Sequence, residues 1–251
     1  GIPHIWHIRE YNIEDFNWRF IYGRRKSIKE IEDKSEELIF ISKDLENKYR
    51  DGYPSLREHP VIYNGINVKK FYYKQSPQKF NAQDILIKAI GLLPKQYKKH
   101  VSCIIIGSEN PEYRRELNQY IQTYDLRQQV KFLGHRSDVN ELLDCAHIAV
   151  TASRCEAFGR VTVEYMMAGL AVIVSNTGAN PEIIKDGETG LVYQYGKPED
   201  LRDKIQWYMD HREDGLRTIA LNGQIDACKR FTSDINAVNV YNLYKRILGK
   251  A

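Results

Sequence analysis

From residue 81 onward the apolar positions switch repeatedly between two periods. Residues 82–93 (AQDILIKAIGLL) place apolar side chains at helical spacing behind Asn81, a good N-cap, and stop at Pro94. SCIIIGS (102–108) is a short unbroken apolar run ending at a glycine, the pattern of a buried strand. PEYRRELNQYIQTYD (111–125) predicts a helix with proline in its first turn. VKFLG (130–134) predicts a strand, SDVNELLDCA (137–146) a helix capped by Ser137 or Asp138, and HIAVTAS (147–153) a strand. A glycine-started helix follows, opening near Arg160 or Val161 and closing at Gly169. AVIVS (171–175) is another strand, Asn180-Pro181 starts a helix that Gly187 ends, and LVY (191–193) is a last short strand. Strand and helix in alternation predict a parallel sheet covered on both faces, with ligands beyond the carboxyl ends of its strands.

Residues 1–75 are less regular. IPHIWHI suits a strand, and SIKEIEDKSEELIFISKDLENKY suits a helix, a strand (ELIFIS) and a second helix. HPVIYNGI ends in Asn64-Gly65, a turn signal. Residues 67–80 (NVKKFYYKQSPQKF) are polar and aromatic and read as an inter-domain linker. The last segment, SDINAVNVYNLYKRILG, is amphipathic at helical spacing, with Ser233 or Asp234 as its cap. The division expected is a partial first domain over 1–75, a second domain over 76–231, and a terminal helix over 232–251 that returns to the first.

Composition fits a globular chain of 251 residues, 42% hydrophobic and 28% charged. The formal net charge of +4 is too small, and too scattered, for a nucleic-acid partner. Residues 1–80 hold 15 Lys and Arg against 12 Asp and Glu, a slight excess that suits an anionic membrane surface or ordinary solvated charge. No stretch approaches the ~20 apolar residues of a membrane-spanning helix. Cys103, Cys145, Cys155 and Cys228 have no metal-ligand spacing and read as reduced, mostly buried thiols. The seven histidines suggest no metal cluster either.

The chemistry concentrates in SRCEAFGRVTVEYMMAGLAVIV (153–174). Glu156 precedes the glycine turn and Glu164 follows it in the helix. Free amides at a helix start, around Val161 and Thr162, form an anion site, and Gly159 permits close backbone approach. A carboxylate on each side of a phosphate-binding turn suits a nucleotide sugar, one acid for the ribose and one for the second sugar. The residues alone leave a plainer alternative open, in which Glu164 is a first-turn acid complementing the helix dipole and Glu156 a loop charge.

As a set these residues resemble glycosyltransferase family 4, the retaining enzymes of GT-B type. The resemblance rests on E-x7-E (Glu156 to Glu164), FLGHRSDVNELL (132–143), G-x-N-P-E-I-I (178–184), D-G-x-T-G-L-V (186–192) and V-I-Y-N-G-I-N (61–67). It implies an α/β protein of two Rossmann-like domains facing a cleft, with hexosyl transfer from a nucleotide diphosphate sugar to a hydroxyl acceptor. By similarity Glu164 binds the ribose, and Glu156 with the backbone of Phe158 and Gly159 contacts the donor sugar. Val161 and Thr162 meet the phosphates, Arg160 is a candidate cation, and Gly134, His135 and Arg136 border the base. His7, or Arg9 in a shifted register, stands where relatives carry a cleft histidine; a strand-end residue paired with Glu10 is the alternative. The resemblance implies no cofactor and no metal, in keeping with the lack of an Asp-x-Asp motif. A UDP-sugar is favoured over a GDP-sugar, with a saccharide or lipid-linked acceptor from bacterial surface polysaccharide or glycolipid synthesis. The implied location is cytoplasmic, with peripheral contact at the inner face of the cell membrane.

The sequence departs from the family at one place. Relatives follow the linker with a strand ending V-G-R and then K-G, whose Arg and Lys clamp the leaving diphosphate. Here SPQKF runs directly into NAQDILIKAI. A sheet without that leading strand should expose an edge. The opening strand and Gly-rich loop of the first domain also lack a counterpart, and the chain starts Gly-Ile-Pro without Met. The expectation is that segments of the working protein are missing from this sequence. A nucleotide-sugar-binding subunit without transfer activity and a sugar-nucleotide epimerase are the competing functions.

Overall fold

The structure, a computed structural model, describes residues 3–11, 20, 22–67, 82–108 and 110–249. Asn81 and most of the linker therefore lie outside the described residues, and Ala82 stands at the N-cap position of the helix that follows.

The first segment forms strand β1 (Ile5–Ile8), helix α1 (Arg24–Asp33), strand β2 (Glu37–Phe40) and helix α2 (Lys43–Gly52). β1 and β2 pair in parallel, and Val61 adds a parallel bridge to Phe40. Ser42 caps α2, its hydroxyl accepting from Leu45 N–H at 3.1 Å.

The second segment begins with α3 (Gln83–Leu92) and the short α4 (Lys95–Lys98), then β3 (Cys103–Ile106) and α5 (Pro111–Thr123). Asn110 caps α5 through Glu112 and Tyr113 N–H, one residue before the N1 proline. β4 (Val130–Gly134), α6 (Val139–Asp144) and β5 (Ile148–Thr151) follow. Then come α7 (Arg160–Met167), β6 (Ala171–Ser175), α8 (Asn180–Ile183) and β7 (Leu191–Tyr193). The chain ends with α9 (Pro198–Asp210), a π-helical turn (Arg212–Leu216), α10 (Arg217–Arg230) and α11 (Ser233–Ile247).

Among the described residues every strand pairing is parallel, as the alternation predicts, but the strands of the second segment form two ladders instead of one. β3 pairs with β4, and β5, β6 and β7 pair in that order. Ile105 and Val130 of the first ladder share one hydrophobic cluster with Ala171 and Ile173 of the second. β6 is buried along its whole length, so all five AVIVS side chains face protein.

Several local expectations are corrected. Asp138 sits at the α6 cap but its side chain accepts no helix N–H there, because the carboxylate accepts from Arg136 instead. α8 is a single turn that ends at Ile183, and Gly187 belongs to the turn after it. Thr232 caps α11 through Ile235 N–H, not Ser233 or Asp234. Cys145 and Cys228 are exposed thiols, not buried ones. Helices α9 and α10 fill a stretch for which the sequence pattern predicts no element.

The two segments meet at a double crossing. Ile66 N–H donates to Phe231 O at 2.8 Å, and Ser233 N–H returns to Ile66 O at 3.0 Å. A side chain at Gly65 would meet the Ser233 Cα at 2.5 Å, so only glycine lets the two strands cross there. Phe158, Tyr63 and Phe231 stack beside the crossing with ring centroids 5.4–6.0 Å apart.

Candidate functional site: the loop before helix α7

The loop from Ser153 to Gly159 joins β5 to α7 and is held from below by buried polar groups. Thr162 Oγ lies 3.1 Å from both Thr151 Oγ and Asn180 Oδ1, and Asn180 Nδ2 donates to Ser175 Oγ at 3.2 Å. Ser175 Oγ donates to Ser153 O at 2.7 Å. Asn180, Ser175 and Thr162 have no solvent exposure, so these bonds are made in a low-dielectric interior and fix the loop's base. Above them Ala179 N–H donates to Glu156 O at 2.8 Å.

Gly159 has a left-handed φ of +73° and opens α7. The first intrahelical bond is Val163 N–H to Gly159 O at 3.2 Å, which leaves the amides of residues 160–162 outside the helical ladder. These are the amides expected at Val161 and Thr162. The fold adds a reason for glycine within the chain itself. A Cβ at 159 would meet Ile183 Cδ1 at 3.1 Å and Asn180 Oδ1 at 3.2 Å, so the backbone angle and the seat of α8 both favour it.

Glu164 is 6% exposed and sits in the second turn of α7. The dipole effect fades beyond the first turn, so dipole complementation does not explain this acid. Burial raises its pKa, and Arg160, an i,i+4 partner at 3.6 Å, opposes that shift. Arg160 is thus engaged with Glu164 while its side chain stays 60% exposed. Glu156 is half-buried. The Phe158 ring is buried in the aromatic cluster, so only its backbone is available to a ligand.

The side chains of His7, Arg9 and Arg136 bond to other parts of the chain. Gly134, with φ +64°, ends β4 on the other ladder. His135 beside it is exposed, and Arg136 Nε pairs with Asp138 Oδ1 at 2.7 Å. His7 Nε2 lies 3.3 Å from the Tyr244 hydroxyl of α11, and burial, then Arg9, lowers its pKa. Arg9 donates to Asn64 Oδ1 at 2.9 Å. Besides Tyr63, the first segment brings Tyr11 to the loop, its hydroxyl proton shared between Asp44 and Glu156 O at 3.1 Å. Nothing in the local pattern marks Tyr11. Among the described residues no three His, Cys, Asp or Glu side chains converge as a metal would need. A cavity of about 630 Å³ lies elsewhere, between residues 60–62 and α11, and none of the candidate residues lines it.

The family model described as glycosyl transferases group 1 matches residues 67–222, more than half of the chain. The chain belongs to the glycosyl transferases group 1 family. The glycosyltransferase MJ1178 of Methanocaldococcus jannaschii is 27% identical over 225 residues, covering 85% of this chain and 60% of that protein. The N-acetyl-alpha-D-glucosaminyl L-malate synthase of Bacillus anthracis is 31% identical over 208 residues, covering 74% and 54%. The chain thus spans little more than half the length of these relatives. The solved structure of Anabaena Alr3699/HepE in complex with UDP-glucose superposes with a TM-score of 0.80 at 26% identity, covering 97% of this chain and 72% of that one. Sucrose-phosphate synthase of Thermosynechococcus elongatus, at 20% identity and a TM-score of 0.81, shares the fold. The architecture of this group 1 chain is that of the GT-B glycosyltransferases, in part of their length.

Proposed function

We propose that the chain acts in a retaining, metal-independent glycosyltransferase of family 4 that moves a hexose from a nucleotide diphosphate sugar to a hydroxyl acceptor. The observation that carries this reading is the α7 start: unladdered amides at residues 160–162 flanked by Glu156 and a buried Glu164. Membership of the group 1 family supports it, and so do the complexes of a solved relative with UDP and with UDP-glucose. A UDP-sugar is the favoured donor.

In this reading Glu164 accepts from the ribose hydroxyls, while the amides of Val161 and Thr162 stabilise the diphosphate. The bond from the anomeric carbon to the β-phosphate oxygen breaks, and the acceptor hydroxyl attacks from the same face. The leaving phosphate oxygen takes the acceptor proton. Glu156 and the backbone at Phe158 and Gly159 hold the donor sugar and stabilise its developing positive charge. Neutralisation by protein amides, with no Asp-x-Asp motif to hold a cation, supports independence from metal. The acceptor is a saccharide or lipid-linked group of bacterial surface polysaccharide or glycolipid synthesis, met at the inner face of the membrane.

A screen of nucleotide sugars by thermal shift tests the reading. Donor at about 100 times its Kd adds about 2.7 kcal/mol to stability. Glu164→Ala removes a charge-assisted bond of about 1.5–3 kcal/mol, so donor use falls roughly ten- to a hundredfold. Donor affinity and turnover that survive Glu164→Ala unchanged reject the assignment. A second reading, a donor-binding subunit without transfer activity, is favoured by the missing Gly-Arg and Lys-Gly segment and the divided sheet. Calorimetric binding without release of nucleoside diphosphate selects it.

A further inference from the structure

Glu182, in the single turn α8, takes no part in the chemistry above, yet its carboxylate is fully engaged by the other segment of the chain. Oε2 accepts from Lys43 N–H at 2.9 Å and from the Tyr63 hydroxyl at 3.0 Å. Oε1 accepts from Asp44 N–H at 2.6 Å. Lys43 and Asp44 are the first two residues of α2, whose next amide, Leu45, is capped by Ser42. The open amides of that helix end are therefore satisfied by an acid about 140 positions away, where helix-end amides favour negative charge.

The bonds continue around a closed circuit. Asp44, one of the amides held by Glu182, accepts from the Tyr11 hydroxyl through its side chain. The same Tyr11 O–H is also directed at Glu156 O, 3.1 Å away, its one proton shared between the two acceptors. Glu156 O also accepts from Ala179 N–H, directly before α8. Arg230 closes the other flank, donating to Glu182 O at 2.7 Å and Ile183 O at 3.3 Å while stacking over Phe231. Burial, and then Glu182 itself, push the Tyr63 phenol up to about 12, so it remains a donor at neutral pH.

We propose that Glu182 is a positioning residue: by holding the start of α2 and Tyr63, it sets Tyr11 against the Glu156 carbonyl and so fixes the loop that carries Glu156. It touches no reacting atom. Its kinetic consequence rests on the glycosyltransferase reading above, but the linkage itself does not.

The test compares Glu182→Gln and Glu182→Ala with the native full chain. Gln keeps the size but offers one acceptor oxygen where three donors converge. Amide hydrogen exchange at Lys43 and Asp44 should accelerate at least tenfold in both variants, and that at Glu156 and Ala157 should accelerate with it. Ile173 in β6 should keep its protection, which shows that the fold is retained. With UDP-glucose and the other nucleotide sugars as donors, kcat should fall at least tenfold while the donor KM stays within threefold. Unchanged exchange at residues 156 and 157, or an unchanged kcat beside accelerated exchange, overturns the proposal. Should the native chain turn over no nucleotide sugar, the functional reading fails, and the exchange at Glu156 and Ala157 alone decides whether Glu182 positions the loop.

Discussion

At the scale of single residues, the site is built against stability. Glu164 is buried, and its cationic neighbour Arg160, 3.6 Å away, is mostly in solvent. An exposed partner at that distance is screened and contributes little. Burial therefore dominates, and the folded pKa lies above the unfolded value of 4.5. The fold then binds more protons than the unfolded chain as pH rises from 4.5 through the folded pKa, so the stability linked to this group is present in acid and lost across that window. Glu164→Gln removes the linkage. The variant should melt higher than the native chain at pH 7, and the gap should close as pH falls to 4, in calorimetric scans at both values. A variant that melts below native at pH 7 shows that the carboxylate is stabilised by its surroundings, which contradicts its burial as the leading cause. The same ionised group is the one proposed to hold the ribose, so donor binding should weaken in the window where stability rises.

At the scale of elements, the loop depends on turns that carry glycine for different reasons. Gly178 has φ +59°, and a Cβ there would stand 2.6 Å from Glu156 N and 2.7 Å from Glu156 O. Gly187 has φ +77° with nothing within 4 Å. Both alanine variants incur the left-handed cost of about 1–2 kcal/mol, but only Gly178→Ala also drives into backbone, adding about 1–3 kcal/mol. In urea titrations Gly178→Ala should lose about twice as much stability as Gly187→Ala, and only the former should weaken nucleotide-sugar binding. Equal losses would show that the Glu156 loop is not packed on this turn. The two glycines look alike in the sequence, since only the fold reveals what lies opposite each. Elements whose burial follows one strong period were legible: AVIVS is β6 and LVY is β7 to the residue. α9 had a readable signal, Pro198 at N1 with Leu201, Ile205 and Tyr208 buried along one face. α10 had little, because its buried face holds only Ile219 beside the small Ala220, Gly223 and Ala227, which barely raise the hydrophobic contrast. The E-x7-E spacing marked the candidate site, whereas Tyr11, Asp44, Tyr63 and Glu182 meet only through pairings more than 30 positions apart.

At the scale of the whole molecule, the sequence predicts a sheet with an exposed edge, and the described strands go further by dividing into two ladders. The linker runs straight into α3 without an intervening strand signal, and the described strands leave β3 and β5 each with a neighbour on one side only. Backbone parity locates the open groups. Cys103 N–H donates to Gln129 O and Gly107 N–H to Gly134 O, so residues 103 and 107 face β4, and Ile104 and Ile106 face away from it. Ala171 N–H donates to His147 O, so by the same alternation Ile148 and Val150 face away from β6. Ile104 is 46% exposed, unusual for an isoleucine in a parallel strand, where both faces are ordinarily covered. Both ladders nevertheless contribute to one apolar cluster, so the open edges border a core instead of lying at the rim of the protein. Such amides exchange by small local openings, while those of a central strand need wider unfolding. In native-state hydrogen exchange the amides of Ile104, Ile106, Ile148 and Val150 should therefore lose protection well before those of Ile173 and Val174, which lie between two paired neighbours in β6. Protection of the four edge amides equal to that of β6 would mean that another strand pairs with them in solution, and the divided sheet described here would then be incomplete.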